Sequence, residues 1–432
     1  MGAGQLTSNV TGDLHSAVDQ MKAATGRRLT VDQRCETLER SLVALLAVIT
    51  EAHAEEIGRG RILLDSLQAV ELQTIVQATL DVSVPLEELV QGVDYVELAE
   101  ALSSQLGDEP KPELAETVFR EIIPDPTNRY QSFGLTDVQQ AYLLGRDPSY
   151  ELGNVPAAFY AEVAAVDLDV DRLEAALRAM IARHDMLRAV IQPDGRQQVL
   201  ASVPDYVISR LDLRDLIQEA ARSELGRIRN EMTGQSSVHS WPLFEVRATC
   251  LDDRRTRVHI SVDLLITDGT SFARLVHELS ARIADPEQSL PELELTFRDY
   301  QLAVERMEEG PRYARARDYW RRRLDELPPA PQLPLAKPMG AVHEPRFSRR
   351  SFQLSAEQWC SLRQRAAQRG LTPSMVLMCA YSEVLGEWSS SARFLLNVTV
   401  NNRLPLHPQV DELLGDFTAL TLVEVDTSVG SS

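Results

Sequence analysis

The sequence predicts a small acidic all-helical unit followed by a long α/β segment, and three observations carry that prediction. Apolar residues recur at helical spacing at Leu38, Leu42, Leu45, Leu46, Val48 and Ile49, and again at Leu67, Val70, Ile75 and Val76. Residues 257–263 alternate Val258, Ile260 and Val262 with His259, Ser261 and Asp263, the period of a half-buried strand. Prolines gather at 110–126 and again at 328–345, which divides the chain into parts. The 432 residues are enough for two or three folded units, and 44% hydrophobic with 25% charged residues excludes a disordered, collagen-like or coiled-coil chain.

The elements follow in order. Residues 1–35 are polar and weakly periodic, and read as an extension, with a short docking helix as the alternative. Residues 36–107 form the acidic unit, with 13 acids against three bases (Arg40, Arg59 and Arg61). Half of the chain's net charge of −20 therefore sits on one sixth of its length, which points to a partner with a basic docking face. Residues 108–130 read as a linker. The α/β segment then shows an amphipathic helix over 169–187 (Leu173, Leu177, Met180, Ile181, Leu187), the strand at 257–263, and a helix bearing Phe272, Leu275, Val276 and Leu279. Residues 131–327 make a first lobe and 328–345 a stiff crossing. A second lobe over 346–432 has helices at 356–369 and 373–385 and strands at 394–400 and 418–425.

Charge and cysteine usage exclude several function classes. A surface with 64 acids against 44 bases repels phosphate, so nucleic acid is not the expected partner. The four cysteines lie far apart with no CxxC pair, the pattern of reduced thiols, and no apolar run approaches the ~20 residues of a membrane span. A soluble cytoplasmic protein is expected. Neither a zinc HExxH, a Walker loop nor a clustered set of histidines occurs, so no metal or nucleotide site is predicted.

Two places carry chemistry. In Leu64-Asp65-Ser66-Leu67, Asp65 suits a helix N-cap and leaves Ser66 on the exposed first turn, where it is a poor self-activated nucleophile but open to modification. In Asp263-Leu264-Leu265-Ile266-Thr267-Asp268-Gly269, one carboxylate ends a strand and another opens a helix. Such a pair serves either as acid and base or as a cap and a salt-bridge partner, and from spacing alone the structural reading is favoured. His184, at the end of an amphipathic helix, likewise reads as structural.

LDSLQAVEL with the later VSVPLEELVQG resembles the carrier domains of polyketide and nonribosomal peptide synthetases, although Leu63 stands where that family usually has Gly. The resemblance implies 4′-phosphopantetheine on Ser66, attached by a phosphopantetheinyl transferase. The rest resembles the heterocyclization domains of nonribosomal peptide synthetases, relatives of condensation domains. Where condensation domains carry HHxxxDG, this chain has the heterocyclization pattern DxxxxD at Asp263 and Asp268, keeping Gly269. FGLTDVQQAYLLGR (133–146), RHDMLRAVIQPDGRQQ (183–198), YWRRRLDELPPAPQLPL (319–335), NVTVNNRLPLHP (397–408) and GDFTALTLVEVD (415–426) match that family's other motifs in order.

The resemblance implies a chloramphenicol-acetyltransferase-like two-lobed α/β fold behind a four-helix carrier. It implies catalytic Asp263 and Asp268, and supporting or tunnel residues Gln139, Tyr142, Arg146, His184, Arg188, Asn401, Arg403, Asp416 and Thr418. Asp268 is expected to pair with Arg403 across the lobe junction. The implied reaction joins two carrier-bound thioesters and closes a Cys, Ser or Thr side chain into a thiazoline or oxazoline. An upstream synthase or adenylation domain and downstream adenylation and carrier domains are the implied partners. The family's second lobe runs on past the GDFT strand, so this lobe is expected to be incomplete, and the chain alone to accept an arm without forming a heterocycle. Two other readings stay open: a plain amide-forming condensation domain, and a non-catalytic carrier and docking module.

Overall fold

A computed structural model describes residues 16–18, 20–24, 30–50, 93–106 and isolated positions between 57 and 89. It then describes 122–428 apart from 235–236, 288–289, 343–344, 346, 349, 368, 370 and 405. Ser66 and its neighbours, and most of the expected linker, lie outside the described residues.

Helix α1 (Val31–Ile49) opens on a reciprocal cap: Thr30 Oγ1 accepts from Gln33 N–H and the Gln33 side chain accepts from Thr30 N–H. Its Leu38, Leu42, Leu45 and Leu46 are fully buried in one cluster with Ile75, Val76 and, from α2 (Tyr95–Leu106), Leu102. Ala17, Met21 and Ala24 are fully buried in the same cluster. The boundary expected at residue 35 is therefore misplaced. The strong cap is Thr30, and part of the polar extension packs into the acidic unit.

The expected linker ends early for a similar reason. Ile122 is buried in the α/β core and its N–H bonds to Leu406 O at 3.0 Å. Asp125 caps a 3₁₀ turn that has Pro126 in its first turn, so these prolines stiffen a docked segment.

The α/β body is built on four strands in the order β1-β6-β5-β4: β1 (Ala158–Val166), β4 (Ser209–Asp212), β5 (Phe244–Cys250) and β6 (Arg255–Asp263). Pairing is antiparallel except between β4 and β5. A short hairpin, β2 (Ala189–Ile191) with β3 (Gln197–Val199), lies apart. Among the helices of this body are α3 (Asp137–Leu144), α4 (Val170–Arg183), α5 (Gln218–Met232), α6 (Gly269–Ala284), α7 (Phe297–Met307) and α8 (Pro311–Arg323). Leu173, Leu177, Met180 and Ile181 of α4 and Leu275 of α6 join Val258 and Val262 of β6 in the core.

Helix α4 stops at Arg183, short of the expected 187, because Arg188 Nη1 donates to the carbonyls of Ile181 and Ala182 and satisfies the helix end. Strand β6 departs from the half-buried reading as well. Ser261 Oγ donates to Met232 O of α5 at 2.9 Å, so the polar face is covered and His259 and Asp263 are buried. His259 is satisfied there by Tyr160 OH at 2.8 Å and Thr249 Oγ1 at 3.3 Å, and burial pulls its pKa down.

The proline-rich crossing runs beside the second lobe, with Leu395 N–H bonding Pro329 O at 2.9 Å. That lobe holds α9 (Ala356–Ala367), α10 (Pro373–Trp388) and an antiparallel pair, β7 (Arg393–Asn401) with β8 (Thr418–Asp426). Tyr381, Val384 and Trp388 of α10 are exposed.

Candidate functional site

Asp263 ends β6 and is buried. Its Oδ2 forms an ion pair with Arg146, and its Oδ1 accepts from Leu265 N–H at 3.0 Å. Burial pushes its carboxyl up, against the opposing pull of Arg146 and the Leu265 N–H. A buried carboxylate with a bidentate set of partners is held in one orientation at the strand end.

Asp268 does different work five residues on. It is the N-cap of α6, with Oδ1 accepting from Ser271 N–H at 2.6 Å. Its Oδ2 accepts from Phe417 N–H at 3.0 Å, which ties the start of α6 to the entry of β8. Arg403 Nη2 stands 3.6 Å from Asp268 Oδ1, both side chains being under a tenth exposed. The same guanidinium donates to Ser271 Oγ (2.7 Å), Val410 O (2.9 Å) and Leu413 O (3.0 Å), and lies 3.8 Å from the Phe417 ring centroid. Ser271 Oγ in turn donates to Gly415 O (2.8 Å) and accepts from Gly415 N–H (3.2 Å). Gly415 presses so close to the Phe297 ring that an added Cβ would lie 2.3 Å from it, so only glycine fits.

Asp416 is 1% exposed, its Oδ1 accepting from Thr418 N–H at 3.1 Å. Burial pushes its carboxyl up to about 6, and the charge of Asp268 adds to the rise against Thr418 and Thr136. Burial and the carboxylates of Asp416 and Asp268 also raise the Tyr142 phenol. Asp268, Asp416, Tyr142, Arg403 and Thr418 are thus one electrostatic neighbourhood. Asp416 and Thr418 line a cavity of about 900 Å³ bounded by α3, α7 and β8.

The remaining expected site residues hold the frame. Gln139 is fully buried, donating to Leu265 O (2.6 Å) and pairing its amide with Gln197, so it fixes the loop between the two aspartates. His184 Nε2 is 2.7 Å from Glu278 Oε2. Burial raises Glu278, but His184, Arg183 and Arg274 outweigh it and hold the carboxyl below its usual value. Arg188 pairs with Asp185 at 2.6 Å, and Asp185 also takes a fork from Arg129. Asn401 is exposed, 3.5 Å from Thr270 Oγ1. Sequence reasoning missed Ser271, Tyr300 and Thr136. Tyr300 OH donates to Asn402 O (2.7 Å) and accepts from Leu404 N–H (3.0 Å), and only the fold brings these residues together.

Among the described residues no group of three His, Cys, Asp or Glu side chains is placed to hold a metal ion, and no helix is long and apolar enough to cross a membrane.

A mixed α/β body with this strand-to-helix junction defines a condensation-type fold. Residues 133–430 match the Condensation domain family, and the chain belongs to it. Bacitracin synthase 1 of Bacillus licheniformis is 34% identical over 361 residues, 83% of this chain and 7% of that protein. Phenyloxazoline synthase MbtB of Mycolicibacterium paratuberculosis is 38% identical over 306 residues, 70% of this chain and 26% of that protein. The EpoB NRPS cyclization-docking bidomain from Sorangium cellulosum superposes with a TM-score of 0.70 at 38% identity, covering 78% of this chain and 66% of that one. The chain thus spans only a small part of these curated relatives.

Proposed function

We propose that this chain is a component of a nonribosomal peptide synthetase whose condensation-type domain joins a carrier-bound acyl donor to a carrier-bound Cys, Ser or Thr and cyclodehydrates the product to a thiazoline or oxazoline. The observation that carries this reading is the junction itself. Asp263, clamped by Arg146, stands where a condensation domain carries its first histidine, while Asp268 is kept as the structural carboxylate. The names of two relatives, a phenyloxazoline synthase and a cyclization-docking bidomain, point the same way.

The chemistry has two stages. The acceptor amine attacks the donor thioester, a C–N bond forms, and the C–S bond breaks to release a thiol. The acceptor's thiol or hydroxyl then adds to the new amide carbonyl, and water leaves. Tethering both substrates supplies proximity, so the domain mainly orients them and excludes solvent. Moving protons in the second stage needs acid and base groups, and the buried carboxyls of Asp263 and Asp416, both raised, suit that need.

The acidic unit at 36–107 is, on this reading, a carrier with 4′-phosphopantetheine on Ser66, a flexible thiol arm that would hold an acyl group as a thioester. Its support is the LDSLQAVEL sequence with the later VSVPLEELVQG, which resemble carrier domains.

The test is a mass assay with a loaded donor carrier and a cysteinyl acceptor carrier, run on the full synthetase, since these 432 residues alone are expected to form no heterocycle. The reading expects the amide mass less one water. Amide without water loss would make the domain a plain condensation enzyme, and no transfer at all would leave a carrier and docking module.

A further inference from the structure

We propose that the cavity between α3, α7 and β8 is a binding site for a primary ammonium group, with Asp416 as its counter-ion. On the function proposed above, that group is the amine of the acceptor amino acid.

Asp416 Oδ1 is occupied by Thr418 N–H, and although the Thr136 and Thr418 hydroxyls lie near enough to pull on the carboxyl, Oδ2 completes no hydrogen bond, while the side chain is almost wholly buried and lines the cavity. A buried carboxylate oxygen without a donor is costly, and such orphans mark a missing partner. The partner must be a donor, and its charge is set by the walls. Asp137 from α3 and Glu305 and Glu308 from α7 line the same cavity, and no Lys or Arg does. Burial and the charges of Asp137 and Glu305 raise Glu308, the signature of carboxylates crowded without a counter-ion. The donor atoms are not arranged for a metal ion, as no metal-holding group occurs among the described residues. The cavity's size, about 900 Å³, suits the aminoacyl end of a small organic ligand. An organic ammonium satisfies all of these: up to three donors, one positive charge and a short apolar stem for the Leu135 and Phe417 side of the wall.

The probe is 2-(methylthio)ethylamine, an ammonium throughout pH 5–8, compared with its uncharged N-acetyl derivative by calorimetry on the whole chain. Groups facing Asp416 are Asp268 and Tyr142, with Arg403 behind Asp268, and Asp137, Glu305 and Glu308 across the cavity. Because Asp416 must be ionised and its carboxyl sits at about 6, affinity should rise by about tenfold from pH 5 to pH 7.5. Asp416→Asn should weaken binding at least about tenfold, and Glu305→Gln with Glu308→Gln by about threefold.

Equal binding of the N-acetyl derivative, unchanged binding by D416N, or no saturable binding by the unaltered chain would each overturn the proposal. Should D416N fail to fold by circular dichroism, the double Gln variant decides, and an unchanged affinity there overturns it. The mass assay separates the two readings. Dehydrated product without amine binding removes this site and leaves the function, whereas amine binding lost in D416N without any product removes the function and leaves the site.

Discussion

Replacing Asp268 with alanine should destabilise the protein before it touches chemistry, and the size of the effect follows from what the carboxylate holds. Loss of the α6 cap to Ser271 N–H costs about 1 kcal/mol. The charge-assisted bond from Phe417 N–H is worth about 1.5–3 kcal/mol. Stripping the counter-charge from buried Arg403 costs about 3–5 kcal/mol. These overlap, because one carboxylate serves all three and Arg403 keeps two backbone carbonyls, so a total of about 4 kcal/mol is expected rather than the sum. For a domain of this size that lowers Tm by about 8–16 °C. Asp268→Asn keeps one acceptor oxygen but turns an NH2 donor toward the other backbone N–H and removes the charge, so it should lose nearly as much. A thermal melt of the two variants, run beside Arg403→Met and the double variant, checks this. The double should be much less destabilised than the two singles added together. If D268A melts within 2 °C of the unaltered protein while condensation disappears, Asp268 acts on substrate and the structural account fails.

Arg146→Ala leaves Asp263 buried with one backbone donor, so stability should fall by about 3–5 kcal/mol in urea titration, while Arg146→Ala with Asp263→Leu recovers part of the loss. Asp416 has a folded pKa of about 6 against 3.8 unfolded, so the folded form holds the proton more tightly and stability falls as pH rises from 4 to 6. D416N should remove that fall and melt higher than the unaltered protein at pH 7.5; an unchanged pH profile would show that Asp416 titrates normally. Glu162, pulled down to about 2 by Arg229 first and then by Arg257 and Tyr160, works in the opposite sense. Its contribution is present above pH 4.5 and is lost as pH drops toward 2, and Glu162→Gln should erase that acid limb in a melt series. Incubation with a phosphopantetheinyl transferase and coenzyme A should add one arm by intact mass, and Ser66→Ala should abolish the addition; modification that survives S66A would refute the assignment.

What the sequence disclosed was local. Asp263 at a strand end and Asp268 at a helix start are legible because strand period and cap chemistry act within a few residues. The second-lobe strands were placed to within a residue at either end, since 394–400 and 418–425 are bounded by turn residues. What stayed hidden was tertiary. His259 reads as an exposed strand position and is buried because α5, some thirty residues earlier, covers that face. Helix α8 is polar all round and buries none of its side chains among the described residues, so no periodic signal announced it. The Asp416 cavity assembles walls from residues 134–144, 300–308 and 416–420, a grouping that only the folded chain makes. Gln139, expected as a supporting or tunnel residue, is fully buried and bonds Gln197 and Leu265 O together, a placement that helix period alone does not announce.

The hub around Ser271 has a bearing on engineering. Exchanging one synthetase's second lobe for another's is most naturally cut at the proline-rich crossing, although residues 406–417 of that lobe return to the first-lobe core. Five positions straddle that cut: Asp268 and Ser271 on one side, Arg403, Gly415 and Phe417 on the other. A chimera that keeps this quintet inherits a seam whose donors and acceptors already match, whatever the rest of the graft carries. One that brings a bulkier residue to position 415 drives it into the Phe297 ring and loses the register of the whole transplanted lobe.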